Sequence, residues 1–196
     1  MTLARIRTVA ALLLAVALAG CAASTRPLAP ASEAVGEPRL AGTWASDGTG
    51  DWEYLHILPS DDGKQLQIIA VNQGDKSWAV LDGYVTAVGE RRFLNLRLAA
   101  ADAGLMADVE KSGRKDSHPY SFAAYAFDGD DALRIGYPVE ALHQAVKEGR
   151  LAGETSGDYD VFIADTSANI AAVLGALDDG ALFKDPKQYK RIKSPP

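Results

Sequence analysis

Two hydrophobic periods run along this chain and divide it. Across residues 40–137, apolar side chains recur at every second position in short runs broken by turn signals, the pattern of half-buried β-strands. Leu55 and Ile57 take one side of a strand; Trp52, Tyr54, His56 and Leu58 take the other. Residues 66–71 are apolar on both sides, which predicts burial on both faces. Residues 78–88 form a longer run with Gly83 as a place to bend. Leu94, Leu96 and Leu98 alternate with Asn95 and Arg97. Residues 120–127 and the set Leu133, Ile135 and Tyr137 are predicted to pair as a hairpin across Asp128-Gly129-Asp130-Asp131. Asp47-Gly48, Asp61-Asp62-Gly63, Asn72-Gln73-Gly74-Asp75 and Gly89-Glu90 mark the other turns.

After Pro138 the period lengthens to about 3.6 residues. Val139, Leu142 and Val146 share a helical face, with Pro138 at the start and Gly149 at the end. His143 falls on the polar side of that helix. A short strand follows over 159–164. Asp165 or Thr166 then caps a second helix with the stripe Ile170, Val173, Leu174 and Leu177, which Asp178-Asp179-Gly180 stops. Residues 189–192 are a candidate last strand, and residues 99–118 read as a long loop or a short helix. The predicted fold class is mainly β (α+β): an antiparallel meander closed as a barrel or folded as a sandwich, with two C-terminal amphipathic helices.

The N-terminus follows neither period. Arg5 and Arg7 precede an apolar run over 9–18, and Leu18-Ala19-Gly20-Cys21 closes it. A positive start, a short hydrophobic segment and small residues at a cut are the layout of a secretory signal. The run is shorter than the roughly 20 residues that cross a bilayer, and no other apolar run approaches that length. Cys21 is the only cysteine, so no intramolecular disulfide can form. Residues 1–22 resemble the lipobox signal of bacterial lipoproteins. That resemblance implies removal of residues 1–20 and acylation of Cys21 on its thiol and amine. It also implies anchorage in the outer membrane of a Gram-negative cell, facing the periplasm, because Ala22 is not the aspartate that marks inner-membrane retention. Residues 21–38, rich in Ala, Pro and Ser, are expected to be a lipidated N-terminus and flexible tether reaching about 50 Å. A single globular domain is expected over 39–193.

Charge narrows the partners. Losing Arg5 and Arg7 with the signal takes the net charge from −6 to −8. An acidic chain with no basic block lacks the cations that hold nucleic-acid phosphates, and it has no electrostatic pull towards anionic lipid. The acyl chains must hold it to the membrane.

The domain opens with Gly42-Thr43-Trp44 ahead of a β-meander. This resembles the Gly-x-Trp opening of lipocalin and wider calycin barrels, whose tryptophan plugs the closed end. It is also similar to bacterial lipoproteins that begin Leu-x-Gly-Thr-Trp. The resemblance implies a lipocalin-like barrel and a small apolar ligand.

Candidate chemistry is sparse. His56, His118 and His143 have no metal-ligand spacing. His56 is expected to be packed or hydrogen-bonded on its strand. The aspartate pairs at 61–62, 130–131 and 178–179 each adjoin a turn glycine, where Asp bonds its own backbone. No G-x-S-x-G and no phosphate loop occurs, so no catalytic residue, metal ligand or cofactor is assigned. A pocket would be lined by Trp44, Trp78 and Tyr125, with Arg97 as a polar handle if it points inwards. Three functions follow: a non-enzymatic ligand- or protein-binding lipoprotein, an envelope assembly subunit with no cavity, and an envelope hydrolase with a site built from distant residues.

Overall fold

The computed structural model describes residues 22–46, 53–74, 76–111, 119–158 and 160–193, with backbone alone for 108–111. Eight strands close on themselves: β2 (Gly42–Ser46), β3 (Glu53–Pro59), β4 (Gln65–Asn72), β5 (Ser77–Val88), β6 (Arg91–Ala101), β7 (Ser121–Phe127), β8 (Ala132–Gly136) and β11 (Lys187–Arg191). Neighbours pair antiparallel in the order β11-β2-β3-β4-β5-β6-β7-β8, and β11 pairs back onto β8. Closure leaves no open edge to template aggregation.

The alternation sets which side chains fill the barrel. Leu55, Ile57, Leu66, Ile68, Leu81, Leu94, Leu96, Leu133 and Ile135 meet in one buried interior cluster. Opposite Val80 and Leu81, β6 carries an extra residue, Ala99, in a bulge that brings Ala101 round to face Ala79. At Gly83 an added Cβ would lie 2.7 Å from the Asn95 carbonyl oxygen, so β6 approaches there only because the side chain is missing.

A second core lies outside the wall. Phe93, Phe122 and Ala124 point outwards from β6 and β7. Against them pack α2 (Val139–Lys147), α3 (Ser167–Gly175) and a three-stranded sheet of β1 (Ala22–Ser24), β10 (Asp160–Ile163) and β9 (Gly153–Ser156). Leu142, Val161, Ile163, Ile170 and Leu174 are the buried partners. Thr166 caps α3, its hydroxyl accepting from the Asn169 N–H at 3.2 Å. A nine-residue helix, α1 (Ala103–Lys111), occupies part of the stretch that carries neither period. Asp178 does more than stop α3: its carboxylate accepts from the Ala181 N–H and opens a further turn, α4 (Asp179–Leu182). His143 is buried in the outer core, 5% exposed, and not on a polar face. No helix of the described residues is long and apolar enough to cross a membrane.

The expected free tether is a correction. Residues 22–40 form a strap bound to the barrel rather than a free segment ahead of Arg39. Ser24 and Tyr120 exchange both backbone hydrogen bonds at 2.8 Å. The Leu28 N–H donates to Asn95 Oδ1 at 2.8 Å, the Tyr84 hydroxyl to the Ala29 carbonyl at 2.7 Å, and the Val35 N–H to the Val85 carbonyl at 3.0 Å. Leu28, Ala34 and Leu40 are buried. A strap needs no periodic pattern, because each apolar residue meets its own niche on a wall already built. Asn95 pins it: fully buried on the outer face of β6, it also donates to Thr86 Oγ1 at 2.7 Å. Asn95→Ala should leave the Leu28 N–H and the Thr86 hydroxyl unpartnered in the interior. Equilibrium denaturation should show a loss of about 1–3 kcal/mol.

Candidate functional site

The two ends of the barrel differ in chemistry. At one end Trp44 is fully buried, and its indole N–H donates to the Leu40 carbonyl at 2.8 Å. The Arg191 guanidinium lies 4.0 Å over the Trp44 ring and donates to the carbonyls of Ala41 at 2.6 Å and Arg39 at 2.5 Å. Arg39 in turn sits 4.0 Å over Phe127, which packs 6.1 Å from Trp44 and 5.7 Å from Tyr125. Gly42 has φ +120°, and an added Cβ would lie 2.9 Å from Arg191 Nη1. The Gly-x-Trp pattern therefore has a local cause: the glycine clears the guanidinium that covers the tryptophan. Large rings and paired cations shut this end.

The opposite end is lined by small and polar residues. Ala70 faces Ala79 on the inner wall, Ala79 faces Ala101, and Asn72 faces Ser77 one step further out. Glu53, on the inner register with Leu55 and Ile57, is 4% exposed. Its two carboxylate oxygens have separate partners: the Tyr189 hydroxyl donates to Oε1 at 2.8 Å and the Lys187 ammonium to Oε2 at 2.5 Å. The Glu53 N–H donates to Ser46 Oγ at 3.1 Å. Lys187 and Tyr189 both face inwards because they sit two apart on β11. Burial, and then the Glu53 charge, push the Tyr137 and Tyr189 phenols up, so both are neutral at physiological pH.

The expected site residues separate. Trp44 and Tyr125 point inwards at the closed end. The Tyr125 hydroxyl has no hydrogen-bond partner, and burial raises its pKa. Trp78 does not line the lumen, which corrects that expectation, and Arg97 takes the outward of its two alternatives, so it is no polar handle for the lumen. Trp78 is 42% exposed on the outer wall at the start of β5. Arg97 stands opposite Asp82 on the outer face, with its guanidinium 5.4 Å from the Tyr120 ring. Trp78 and Asp82, four apart on β5, share the outer side by simple alternation. His56 is hydrogen-bonded as expected, Nδ1 to Thr43 Oγ1 at 3.0 Å. Cys21, Trp52 and His118 lie outside the described residues. No group of three metal-ligating side chains converges among the described residues.

Glu53, Lys187, Tyr189 and Tyr137 were missed in the sequence. The signal was there for Glu53, an acid in step with Leu55 and Ile57, since an inward carboxylate needs a cation from another strand. Comparison with protein-family models, with curated proteins and with solved structures gave no match for this chain.

Lys187→Met should strand a buried carboxylate and cost roughly 1–3 kcal/mol at neutral pH, less than for a fully enclosed pair because Lys187 keeps some water contact. Adding Glu53→Gln should recover part of the loss in a double-mutant cycle followed by urea denaturation. Burial pushes Tyr84 up to about 12, and Tyr125, Tyr137 and Tyr189 are raised as well. A phenol raised in the folded state contributes fully below its unfolded value near about 10, and that contribution falls as pH climbs past it. Tyrosinate absorbance should therefore rise in two stages under alkali, the second coinciding with loss of the folded circular dichroism signal.

Proposed function

We propose that this chain is a lipoprotein of the bacterial cell envelope, anchored through acylated Cys21, whose lipocalin-like barrel binds a small, largely apolar molecule at the Glu53 end without catalysis. The carrying observation is the asymmetry of the closed barrel. Its middle is filled by an apolar cluster, one end is shut by Trp44, Arg191 and Phe127, and the other is lined by Ala70, Ala79 and Ala101 beneath polar Glu53, Asn72 and Lys187. Eight strands enclose a lumen that side chains can just fill or that can hold one small ligand. Alanines where leucines would fit favour the second outcome, and the carboxylate–ammonium pair gives an entering molecule a polar group to meet.

The anchor rests on the lipobox resemblance of residues 1–22, which places the barrel on the outer membrane facing the periplasm. Two or more acyl chains give a durable hold, at about 0.8 kcal/mol per buried methylene. A second reading, an envelope assembly subunit with no cavity, draws on the continuity of the interior cluster from Leu40 to Tyr189.

Protein purified from its native membrane should have the mass of a chain starting at Cys21 plus acyl groups. Cys21→Ser should lose that label and leave the membrane fraction while keeping its melting profile. An apolar fluorescent probe should bind the wild type, and Ala70→Phe should abolish binding with the fold intact. Binding unaffected by Ala70→Phe, or no binding by the wild type, would favour the cavity-free subunit.

A further inference from the structure

We infer that the lipid anchor has no stalk: the strap seats the body directly on the bilayer, with the β9–β10 turn at the lipid surface and the β3 wall facing away. This rests on the reading that Cys21 is acylated. The residue after Cys21 already belongs to the body. Ala22 is 8% exposed, Ala23 5% and Ser24 fully buried. They pair in parallel with Val161, Phe162 and Ile163, and the Thr25 N–H donates to the Ile163 carbonyl at 3.0 Å. The fastening continues through Leu28 on Asn95 and Ala29 on Tyr84.

Magnitudes decide between a stalk and a seat. A free chain over residues 22–38 would let the body range about 50 Å from its anchor. With β1 fastened, Cys21 is one Cα step of about 3.8 Å from a strand residue, so the acylglycerol joins the body almost at its surface. The parallel register sets the orientation. β1 and β10 begin at the same end, and the turn after β9 leads into that end. Ser156, Gly157, Asp158 and Asp160 are exposed there. The acidic turn gives no attraction to anionic lipid, so the acyl chains alone set the contact. On the other side, β1 lies along β7, and β3 is four strands from β7 in the eight-strand ring, so the β3 wall is diametrically opposite. Leu58, half exposed on β3, marks it.

The test uses the full lipidated protein in phosphatidylcholine vesicles carrying a nitroxide headgroup quencher. Acylation blocks the Cys21 thiol, so Asp158→Cys and Leu58→Cys each give a single attachment point for a fluorophore. Quenching should be several-fold stronger at position 158 than at 58. A flexible Gly-Ser insert between Cys21 and Ala22 should bring the two close to equality. Equal, weak quenching at both positions in a protein of confirmed acyl mass would overturn the seat and leave the lipoprotein reading standing. A mature protein with no acyl mass would overturn both.

Discussion

The structure depends on the pairing of one five-residue strand, β11, with both β8 and β2. Without it the meander from β2 to β8 would be an open sheet with two bare edges. The strand also serves three levels of the interior, because its side chains alternate. Arg191 covers Trp44 at the closed end, Tyr189 is buried in the interior cluster with its hydroxyl on Glu53, and Lys187 meets Glu53 at the opposite end. Closure of the backbone and neutralisation of the buried interior carboxylate of Glu53 are therefore a single event. The contact is also distant in sequence: Glu53 and Tyr189 are separated by 136 residues. Loop-closure entropy makes such a pairing late and slow to form.

Much of this fold was legible because the alternation in residues 40–137 is strict. The inner set of β3, the leucine face of β6 and the hairpin of β7 and β8 all follow from a period of two. The helices were legible from Pro138, Thr166 and their apolar stripes. What alternation could not supply was a long-range partner. It places Glu53 inside but does not say that Lys187 arrives beside it. It also failed to say which face is the lumen. The period through β5 puts Trp78 with Asp82 and Tyr84, and all three lie on the outer wall. His143 failed for another reason: α2 is covered by strands on one side and α3 on another, so its buried arc is wider than an apolar stripe suggests.

The strap shows the converse limit. Its composition is that of a linker, with Ala, Pro and Ser and no period, and composition alone predicts disorder. Its order comes from the wall it crosses. Asn95, Thr86 and Tyr84 are polar residues on the outer face of β5 and β6, where solvent would satisfy them in an uncovered barrel. Covering them is possible only if the covering chain brings its own backbone donors and acceptors, and residues 28–35 do so. The carbonyl of the buried Asn95 is matched to a peptide N–H of the strap, beside its amide contact with Thr86. Such a match leaves no trace in the strap's own sequence.

The strap and the barrel interior together constrain where a ligand can enter. The strap crosses β7, β6 and β5 and ends in Leu40, whose carbonyl accepts from the Trp44 indole. The segment that begins beside Cys21 thus finishes as part of the plug, and the closed end is fastened twice, by Arg191 from the C-terminus and by Leu40 from the N-terminus. Opening that end would require breaking a cation–aromatic stack and detaching a strap whose Leu28, Ala34 and Leu40 are buried. The Glu53 end has no such double fastening among the described residues; its inner ring is held by side chains that can exchange partners. A carboxylate shared between an ammonium and a phenol can release either one to a polar group of an entering molecule while keeping the other, so its charge never stands alone in the interior. A ligand of the proposed kind would therefore enter at the Glu53 end at lower cost than at the Trp44 end.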